Sequence, residues 1–489
     1  MTAKRGYSTR SYDYVIVGGG PVGLAVSIGL QQQAAEASLP APRILLIDDR
    51  ARDNESWTKS YVYGIDVEGS DFLEHDLGLG ESLQPFIRKQ GKTDIWKPDG
   101  NVVTLAGMMG NPSNADSRRY SIMRQDLIKL LTKAYNGDRM TGRVEGILYQ
   151  YPAGTGTSCT DDEHTTDVTL KLRNTETGAV GEILISTRYL IGCDGARAQV
   201  RAALESHNRR FQLTSVACPS TGLVFRSFWF PNPPGMGLRE AVFVKGITGE
   251  SMTMLNFPID TSEMGQRDDK RPCGTARRPN YAAYNCQTVE EVYQFLDEEY
   301  PQMDVYNNLS RDDVETYLKE PAVTFPRVAY SSSAVHVFDK ASPRNSVKAI
   351  ILGDALHQFP PDIGKGMNSG LGDAKRLLHT LREAEIEVAS NQSHAATTTS
   401  TSLADQKCAL LWQAFNDESV REARSLCRLM PRFVPYQYNL RGWCDRIGKT
   451  LFVAKRLLHD AIYYKLRIRE PFFYPNPVRR AIADDRPPY

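Results

Sequence analysis

The sequence predicts an α/β fold in three parts: a parallel sheet covered by helices, a second, mostly antiparallel sheet, and a helical C-terminal extension. A buried-strand pattern followed by a glycine turn and a helix, close to the N-terminus, indicates the first part. Stretches rich in Val, Phe, Trp and Met at 223–231 and 241–258 are typical of strands and indicate the second. The residues from Cys408 onward have a helical pattern.

The first strand–turn–helix unit contains three glycines with the spacing G-x-G-x-x-G, at Gly18, Gly20 and Gly23. Gly18 permits a tight turn, Gly20 lets the backbone approach a pyrophosphate, and Gly23 lets the helix pack closely on the strand. The helix N-terminus then offers free N–H groups and a partial positive charge. The unit predicts a Rossmann-type dinucleotide site; a merely structural glycine turn is the alternative.

An acidic residue ends the next apolar strand, which covers 44–47. Asp48 is placed to accept hydrogen bonds from a ribose 2′-hydroxyl, which favours an unphosphorylated adenosine, as in FAD or NAD. In the alternative interpretation, Asp48 and Asp49 only terminate the strand.

Composition excludes several classes of protein. The 489 residues suffice for two or three domains, and the net charge of +1 gives no bulk electrostatic reason to expect nucleic-acid binding. The eight cysteines are scattered, with no C-x-x-C pair and no zinc-ligand spacing. We therefore expect no metal site and an intracellular, reducing location, either the cytoplasm or an organelle surface such as that of mitochondria. No apolar run is long enough to predict a membrane span.

Two further motifs place an acid directly after an apolar strand. The first is Cys193-Asp194-Gly195, and the second is Gly353-Asp354, which a glycine-rich turn and a helix follow. In both motifs the acid can bind a hydroxyl, and the second offers another helix N-terminus to an anion. Arg124 begins a further helix, where it can reach a phosphate or only its own surface.

The three motifs, in this order, resemble the FAD-dependent aromatic monooxygenases of the para-hydroxybenzoate hydroxylase type. The stretch from Gly353 to His357, with Pro361-x-x-Gly364-x-Gly366-Met367-Asn368, is most similar to the kynurenine 3-monooxygenase branch. The resemblance implies a role in FAD binding for twelve residues. Gly18, Gly20 and Gly23 would hold the pyrophosphate, Asp48 the adenosine ribose, Arg124 the phosphate region, Gly353 and Asp354 the ribityl chain, Asp194 and Gly195 both FAD and NAD(P)H, and Gly366, Met367 and Asn368 the flavin pyrimidine edge.

We expect the corresponding domains to be discontinuous. They are a FAD-binding domain at 11–88, 115–203 and 325–386, a substrate domain at 89–114 and 204–324, a disordered loop at 387–407, and a helical C-terminal region at 408–489.

The resemblance implies a reaction in which NAD(P)H first reduces FAD, and O2 then forms a flavin C4a-hydroperoxide. The hydroperoxide hydroxylates a small aromatic substrate, for which a kynurenine-like compound is one candidate. A flavin-dependent reductase of an isoprenoid or quinone-type substrate shares the same motifs, and a flavin-binding protein without turnover is the non-enzyme alternative. A flavin halogenase is disfavoured because Gly442-Trp443 is followed by Cys444 rather than by the halogenase motif. No side chain is assigned as a catalytic acid or base.

Two sets of residues have open interpretations. The first set either lines a substrate pocket or packs in a core, and consists of Tyr61, Tyr63, Phe225, Phe228 and Trp229. The basic segment 441–470 either docks peripherally on an anionic membrane or forms a C-terminal helix with a solvated basic face. The oligomeric state is left open.

Overall fold

The computed structural model describes residues 10–49, 62–89, 93–104, 120–150, 167–173, 180–233, 236, 241–254, 270–319, 322–338, 346–361, 364–392, 398–433, 447, 450 and 451. The strands within these residues are β1 Arg10–Val17, β2 Ile44–Asp48, β3 Val62–Ile65, β4 Arg88–Lys89, β5 Thr93–Trp96, β6 Val102–Thr104, β7 Tyr120–Met123, β8 Asp138–Thr141, β9 Arg143–Gln150, β10 Asp167–Arg173, β11 Val180–Gly192, β12 Leu213–Val216, β13 Val224–Pro231, β14 Ala241–Lys245, β15 Ser251–Met254, β16 Lys270–Arg277, β17 Val323–Thr324, β18 Val328–Ser331, β19 Val335–Val337, β20 Lys348–Ile351 and β21 His357–Gln358. The helices are α1 Pro21–Glu36, α2 Val67–Asp71, α3 Gly80–Leu83, α4 Arg124–Ala134, α5 Gln199–His207, α6 Ala282–Asn285, α7 Val289–Glu299, α8 Val305–Asn308, α9 Arg311–Lys319, α10 Gly366–Gln392 and α11 Thr398–Phe433.

The first sheet has the order β19-β20-β11-β1-β2-β8, and β10 and β9 extend it from β11. β1 runs parallel to both β2 and β11, and β11 runs parallel to β20. Both faces of a parallel sheet are usually covered, which explains the continuous apolar runs in these strands. Ile16 and Leu45 are accordingly buried, as is Leu24 of α1. The predicted parallel sheet with covering helices is confirmed.

The second sheet has the order β17-β13-β16-β15-β14-β5-β6. Its neighbours are antiparallel except for β14 and β5, so the mostly antiparallel sheet is also confirmed. Helices α7, α8 and α9 supply buried residues to the core on one of its faces. Phe228 belongs to that core and contacts Tyr317 of α9 edge-on, with ring centroids 5.9 Å apart.

The pleat of β13 places Phe228 on one face of the second sheet and Phe225 and Trp229 on the other. Phe228 packs in the core beside the helices, so Phe225 and Trp229, each an odd number of residues away, lie on the opposite face. Phe225 is half-buried there, and its ring lies over Gly274 of β16. The core interpretation thus holds for Phe228, whereas Phe225 and Trp229 point away from that core.

The C-terminal part differs from the predicted disordered loop at 387–407. Residues 387–392 end α10, and residues 398–407 begin α11. Each Ser, Thr or Asn lowers the stability of a helix by only about 0.7 kcal/mol or less relative to Ala. The buried part of α11 anchors the segment, so the segment is helical despite its polar composition. The basic segment 441–470 lies outside the described residues, apart from 447, 450 and 451. Within the described chain, no helix has the length and apolarity needed to cross a membrane.

Candidate functional site

The sheet register brings the three sequence motifs to one edge. Val17 at the end of β1 is level with Ile47 of β2 on one side and Gly192 of β11 on the other. Gly192 is in turn level with Ile351 of β20. The turns that follow these parallel strands must therefore lie side by side, and open α/β sheets bind their ligands at this carboxyl edge.

The glycine turn at this edge has one crowded side and one open side. Gly18 has φ +105°, and a Cβ atom there would lie 2.2 Å from the carbonyl oxygen of Cys193. A Cβ atom on Gly23 would lie 2.0 Å from the carbonyl oxygen of Gly18. At Gly20, by contrast, an added Cβ would have no described atom within 4 Å. Gly18 and Gly23 are thus required by the fold, and Gly20 leaves the open side accessible to a ligand.

The N-terminus of α1 points to the same open side. Gly20 is the N-cap residue, Pro21 occupies the first turn, and among the described residues no side chain caps this end. Proline at the first helical position lacks an N–H group, so it removes a donor that would otherwise need a partner. The remaining donors and the helix dipole are suited to a phosphate group.

Asp48 lies beside this turn. It ends β2 one residue after Ile47, whose carbonyl oxygen accepts a hydrogen bond of 2.7 Å from the Gly18 N–H. Its side chain is half-buried. Arg124 is the first residue of α4, directly after β7, and is also half-buried. Their contacts with a ribose and a phosphate stay predictions.

Asp194 has a structural contact that the sequence analysis did not identify. Its Oδ2 atom accepts hydrogen bonds from the backbone N–H groups of Gln199 (2.5 Å) and Val200 (3.2 Å), so it caps α5. Its Oδ1 atom is buried without a partner among the described atoms. Burial raises the pKa of this carboxyl to about 6, against the effect of the two backbone donors. Next to it, Gly195 has φ +78° and free space at its Cβ position. One oxygen therefore serves the fold, and the other is available to a hydroxyl.

Asp354 lies in the turn that directly follows β20. Gly353, with φ +58°, turns the chain directly after β20, and its N–H donates to Asp373 Oδ2 at 2.9 Å. The Asp354 side chain is exposed to solvent, yet desolvation by the surrounding protein raises the pKa of its carboxyl. This position fits the hydroxyl-binding role expected of Asp354.

The N-terminus of α10 begins with the three predicted residues Gly366, Met367 and Asn368. The Asn368 side chain accepts from the Asp66 N–H (2.9 Å) and donates to the carbonyl oxygens of Gly64 (2.8 Å) and Gly364 (3.1 Å). It thereby fastens the start of α10 to β3. Backbone N–H groups of Gly366 and Met367 remain at the helix end, where they suit an anionic ring edge.

Asp66 is a site residue that sequence reasoning missed. Its Oδ1 atom caps α2 by accepting from Gly69 N–H, and its Oδ2 atom pairs with Lys365 Nζ at 2.5 Å. The Lys365 charge beside α10 is therefore balanced by Asp66. The sequence offered a weak signal only, because an Asp three residues before Gly69 is a common helix cap.

His357 is a hydrogen-bonding residue of the interior. Its side chain is 1% exposed, and Nε2 lies 2.9 Å from Asp373 Oδ2 and 3.1 Å from Ser369 Oγ. Burial opposes its charged form, but the Asp373 carboxylate raises the pKa of the imidazole above its usual value.

Replacing Asn368 by alanine should lower the free energy of unfolding by about 1–3 kcal/mol, because the Asp66 N–H and the Gly64 carbonyl would lose their partner. Urea unfolding of the apoprotein measures this. Asn307→Ala is the matched control, since that amide donates its two hydrogen bonds within the described chain to the exposed Asp304 side chain. Equal losses in the two variants would contradict the fastening role.

The described residues fit FAD. A turn with an open glycine face, an uncapped helix N-terminus, a buried carboxylate oxygen without a partner and an accessible acid line the same sheet edge. Together they match a pyrophosphate, hydroxyl groups and an anionic ring edge.

Comparisons with known proteins agree with this fit. A family model described as FAD binding domain matches residues 153–408, which is more than half of the chain. The chain is 24% identical over 499 residues to a kynurenine 3-monooxygenase of Cryptococcus neoformans var. neoformans serotype D (strain B-3501A), covering 95% of this chain and 86% of that protein.

Solved structures show the same fold at low sequence identity. The tetrameric form of 2-methyl-3-hydroxypyridine-5-carboxylic acid oxygenase superposes with a TM-score of 0.54 at 14% identity, over 88% of this chain and 91% of that one. Native and K252c-bound RebC-10x gives a TM-score of 0.56 at 18% identity, over 96% and 76%. These relatives confirm the resemblance that the motifs indicate. The chain therefore belongs to the FAD binding domain family and is an FAD-dependent oxidoreductase.

Proposed function

We propose that this protein is an FAD-dependent monooxygenase that uses NAD(P)H and O2 to hydroxylate a small aromatic substrate. The observation that carries the proposal is the convergence of the glycine turn, Asp194 and the Gly353–Asp354 turn at one sheet edge. Bound FAD would supply the redox chemistry, namely hydride acceptance and activation of O2. The protein's own residues bind and orient it.

Different residues of the site bind different parts of the cofactor. The open face at Gly20 and the N-terminus of α1 hold the pyrophosphate, with Arg124 at the phosphate region. Asp48 binds the adenosine ribose, and Asp354 binds the ribityl chain. The N-terminus of α10 stabilises negative charge on the reduced ring through its N–H groups and dipole, without a formal base.

The second sheet supports an aromatic substrate. On the face away from α7–α9, β13 carries Phe225 and Trp229, and β14 carries Phe243. Aromatic side chains contribute large apolar contact area and prefer edge-on or offset contacts with a substrate ring. Such a surface also excludes water from the oxygen chemistry. L-Kynurenine is one candidate substrate because a relative that covers nearly the whole chain is a kynurenine 3-monooxygenase.

Anaerobic reduction of the flavin tests the function. NADPH and NADH are each mixed with the holoenzyme, with and without L-kynurenine and a panel of phenols, and the loss of visible absorbance is followed before air is admitted. We expect one ligand to accelerate bleaching by about 10-fold or more and to appear as a hydroxylated product. Its identity then names the substrate.

Two results would contradict the proposal. Reduction that no ligand accelerates, with only hydrogen peroxide formed in air, would favour the flavin-dependent reductase. No oxidation of either nucleotide with any ligand would favour a flavin-binding protein without turnover.

A further inference from the structure

A series of charged side chains connects α11 with the Gly353–Asp354 turn. We call His357, Asp373, Arg376 and Glu422 the buried charge relay. His357 and Asp373 are each 1% exposed, Arg376 is 16% exposed and Glu422 is 17% exposed. Buried charges are costly to retain unless each has a partner, so their arrangement calls for a reason beyond packing.

Asp373 is the centre of the relay, and both of its oxygens are engaged. Oδ2 accepts from the Gly353 N–H and faces His357 Nε2, each at 2.9 Å. Oδ1 accepts from an Arg376 Nη atom at 2.9 Å. Burial alone would protonate this carboxyl, but His357 and Arg376 lower its pKa below the usual value. Asp373 is thus a carboxylate that accepts from three donors.

The far end of the relay lies on α11. Arg376 pairs with Glu422 at 2.8 Å, and its Nε donates to Ser419 Oγ at 3.2 Å. These contacts fix the guanidinium, which in turn orients the Asp373 carboxylate. A continuous set of charge-assisted hydrogen bonds therefore connects α11 to the Gly353–Asp354 turn.

The near end of the relay is the backbone of Gly353. Its φ of +58° lies in the left-handed region, and Asp373 holds its N–H in this orientation. Asp354 is the next residue, so a fixed Gly353 peptide also fixes the backbone position from which the Asp354 side chain extends. Asp354 is exposed to solvent, whereas the Asp373 side chain is 1% exposed.

We propose that Asp373 is a positioning residue for FAD, which holds the Gly353 turn so that Asp354 faces the ribityl chain, and that α11 supports this geometry through Arg376 and Glu422. The proposal rests on the assignment of Asp354 as the ribityl ligand. It assigns Asp373 no contact with FAD itself.

Asp373→Asn tests the proposal. The amide has the shape of the carboxylate, but one of its ends is an NH2 group, which must face either the Gly353 N–H or Arg376 as donor against donor. We expect the FAD dissociation constant, measured by titrating FAD into the apoprotein, to rise about 5- to 150-fold. The visible circular dichroism of bound flavin should change as well, because the ribityl chain is held differently.

A merely structural role would lower stability without this selectivity. Asp313→Asn is the matched control, because Asp313 is also a largely buried carboxylate, 2.5 Å from Lys270. It should lower the unfolding temperature of the apoprotein and leave FAD affinity within about 2-fold, since the two units fold around different cores. Equal FAD affinity in Asp373→Asn and Asp313→Asn would overturn the proposal.

A double-mutant cycle separates this proposal from the assignment beneath it. If Asp373 acts through Asp354, Asp373→Asn should weaken FAD binding much less in an Asp354→Ala background than in the wild type. Full additivity overturns the positioning role. If Asp354→Ala alone leaves FAD affinity unchanged, the ribityl assignment is what fails.

Glu422→Gln keeps the test decisive if Asp373→Asn does not fold. Glu422 lies on α11 and pairs with Arg376 at 2.8 Å. A rise of about 3-fold or more in the FAD dissociation constant supports the relay, because one charge-assisted bond to Arg376 is weakened. An unchanged constant overturns it.

Discussion

Gly23→Ala is expected to abolish stable FAD binding and to lower the free energy of unfolding by about 3 kcal/mol or more. The new Cβ atom would lie 2.0 Å from the Gly18 carbonyl oxygen, which is backbone and cannot rotate away. Alanine gains about 1 kcal/mol of helix propensity over glycine, which is too little to offset the clash. To relieve it, α1 must move away from β1, and the helix N-terminus then no longer faces the phosphates.

Gly20→Ala should separate binding from folding at the same turn. Its Cβ would meet no described atom within 4 Å, so the free energy of unfolding of the apoprotein should stay within about 0.5 kcal/mol of the wild-type value. The methyl group would occupy the face that the pyrophosphate approaches, and the FAD dissociation constant should rise at least about 10-fold. Urea unfolding and FAD titration of the two apoproteins measure both effects.

Gly372→Ala is the control for a glycine in a helix, since it also has free space at its Cβ position. It should keep FAD affinity and gain up to about 1 kcal/mol of stability from the helix propensity of alanine. If Gly20→Ala binds FAD as the wild type does, the cofactor does not approach the turn from its open side. If Gly23→Ala is as stable as the wild type, the close packing of α1 on β1 is not required.

Local motifs were the part of the site that the sequence could predict. The tasks of Gly18, Gly20 and Gly23 follow from a turn whose atoms are near neighbours along the chain, and the structure separates them as crowded and open positions. Parallel pairing then requires the turns after β1, β11 and β20 to meet, so the order of the motifs indicated one shared edge.

Contacts between distant segments could not be predicted in the same way. Asp373 follows Gly353 by 20 positions, and Asp66 meets Lys365 across 299 positions. Nothing in the residue pattern specifies which carboxylate accepts from a given backbone N–H when the two lie on different elements. The helix at 398–407 was missed for a related reason, because packing against the rest of the chain, and not local propensity, decided it.

The double engagement of Asp194 shows why residue type alone leaves a role open. An acid after a strand can cap the next helix or bind a ligand, and Asp194 has one oxygen placed for each task. The two roles make opposite demands. A cap for α5 works as well with a neutral amide, whereas a buried carboxylate oxygen without a partner destabilises the protein unless a ligand uses it.

Asp194→Asn should therefore stabilise the apoprotein while weakening cofactor binding. Burial raises the native pKa of Asp194 to about 6 from 3.8, so between about pH 4 and pH 6 the native state holds a proton that the unfolded chain has released. Stability from this group is present below about pH 4 and is lost as pH rises to about 6. The shift corresponds to about 3 kcal/mol, so at pH 7 the asparagine variant should be more stable by about 1–3 kcal/mol.

Urea unfolding of both apoproteins from pH 4 to pH 8 measures this gain, and the difference between them should grow between pH 4 and pH 6 and then level off.

Asn can cap α5 through its Oδ1 atom, which leaves an NH2 group where the wild type has the Oδ1 acceptor. A donor there cannot accept from a ligand hydroxyl, and FAD or NAD(P)H affinity should fall about 5- to 150-fold. A residue that costs stability and supports binding has a functional role, because stabilising changes at such positions commonly reduce activity. Stability and affinity falling together would instead show that capping α5 is the main task of Asp194.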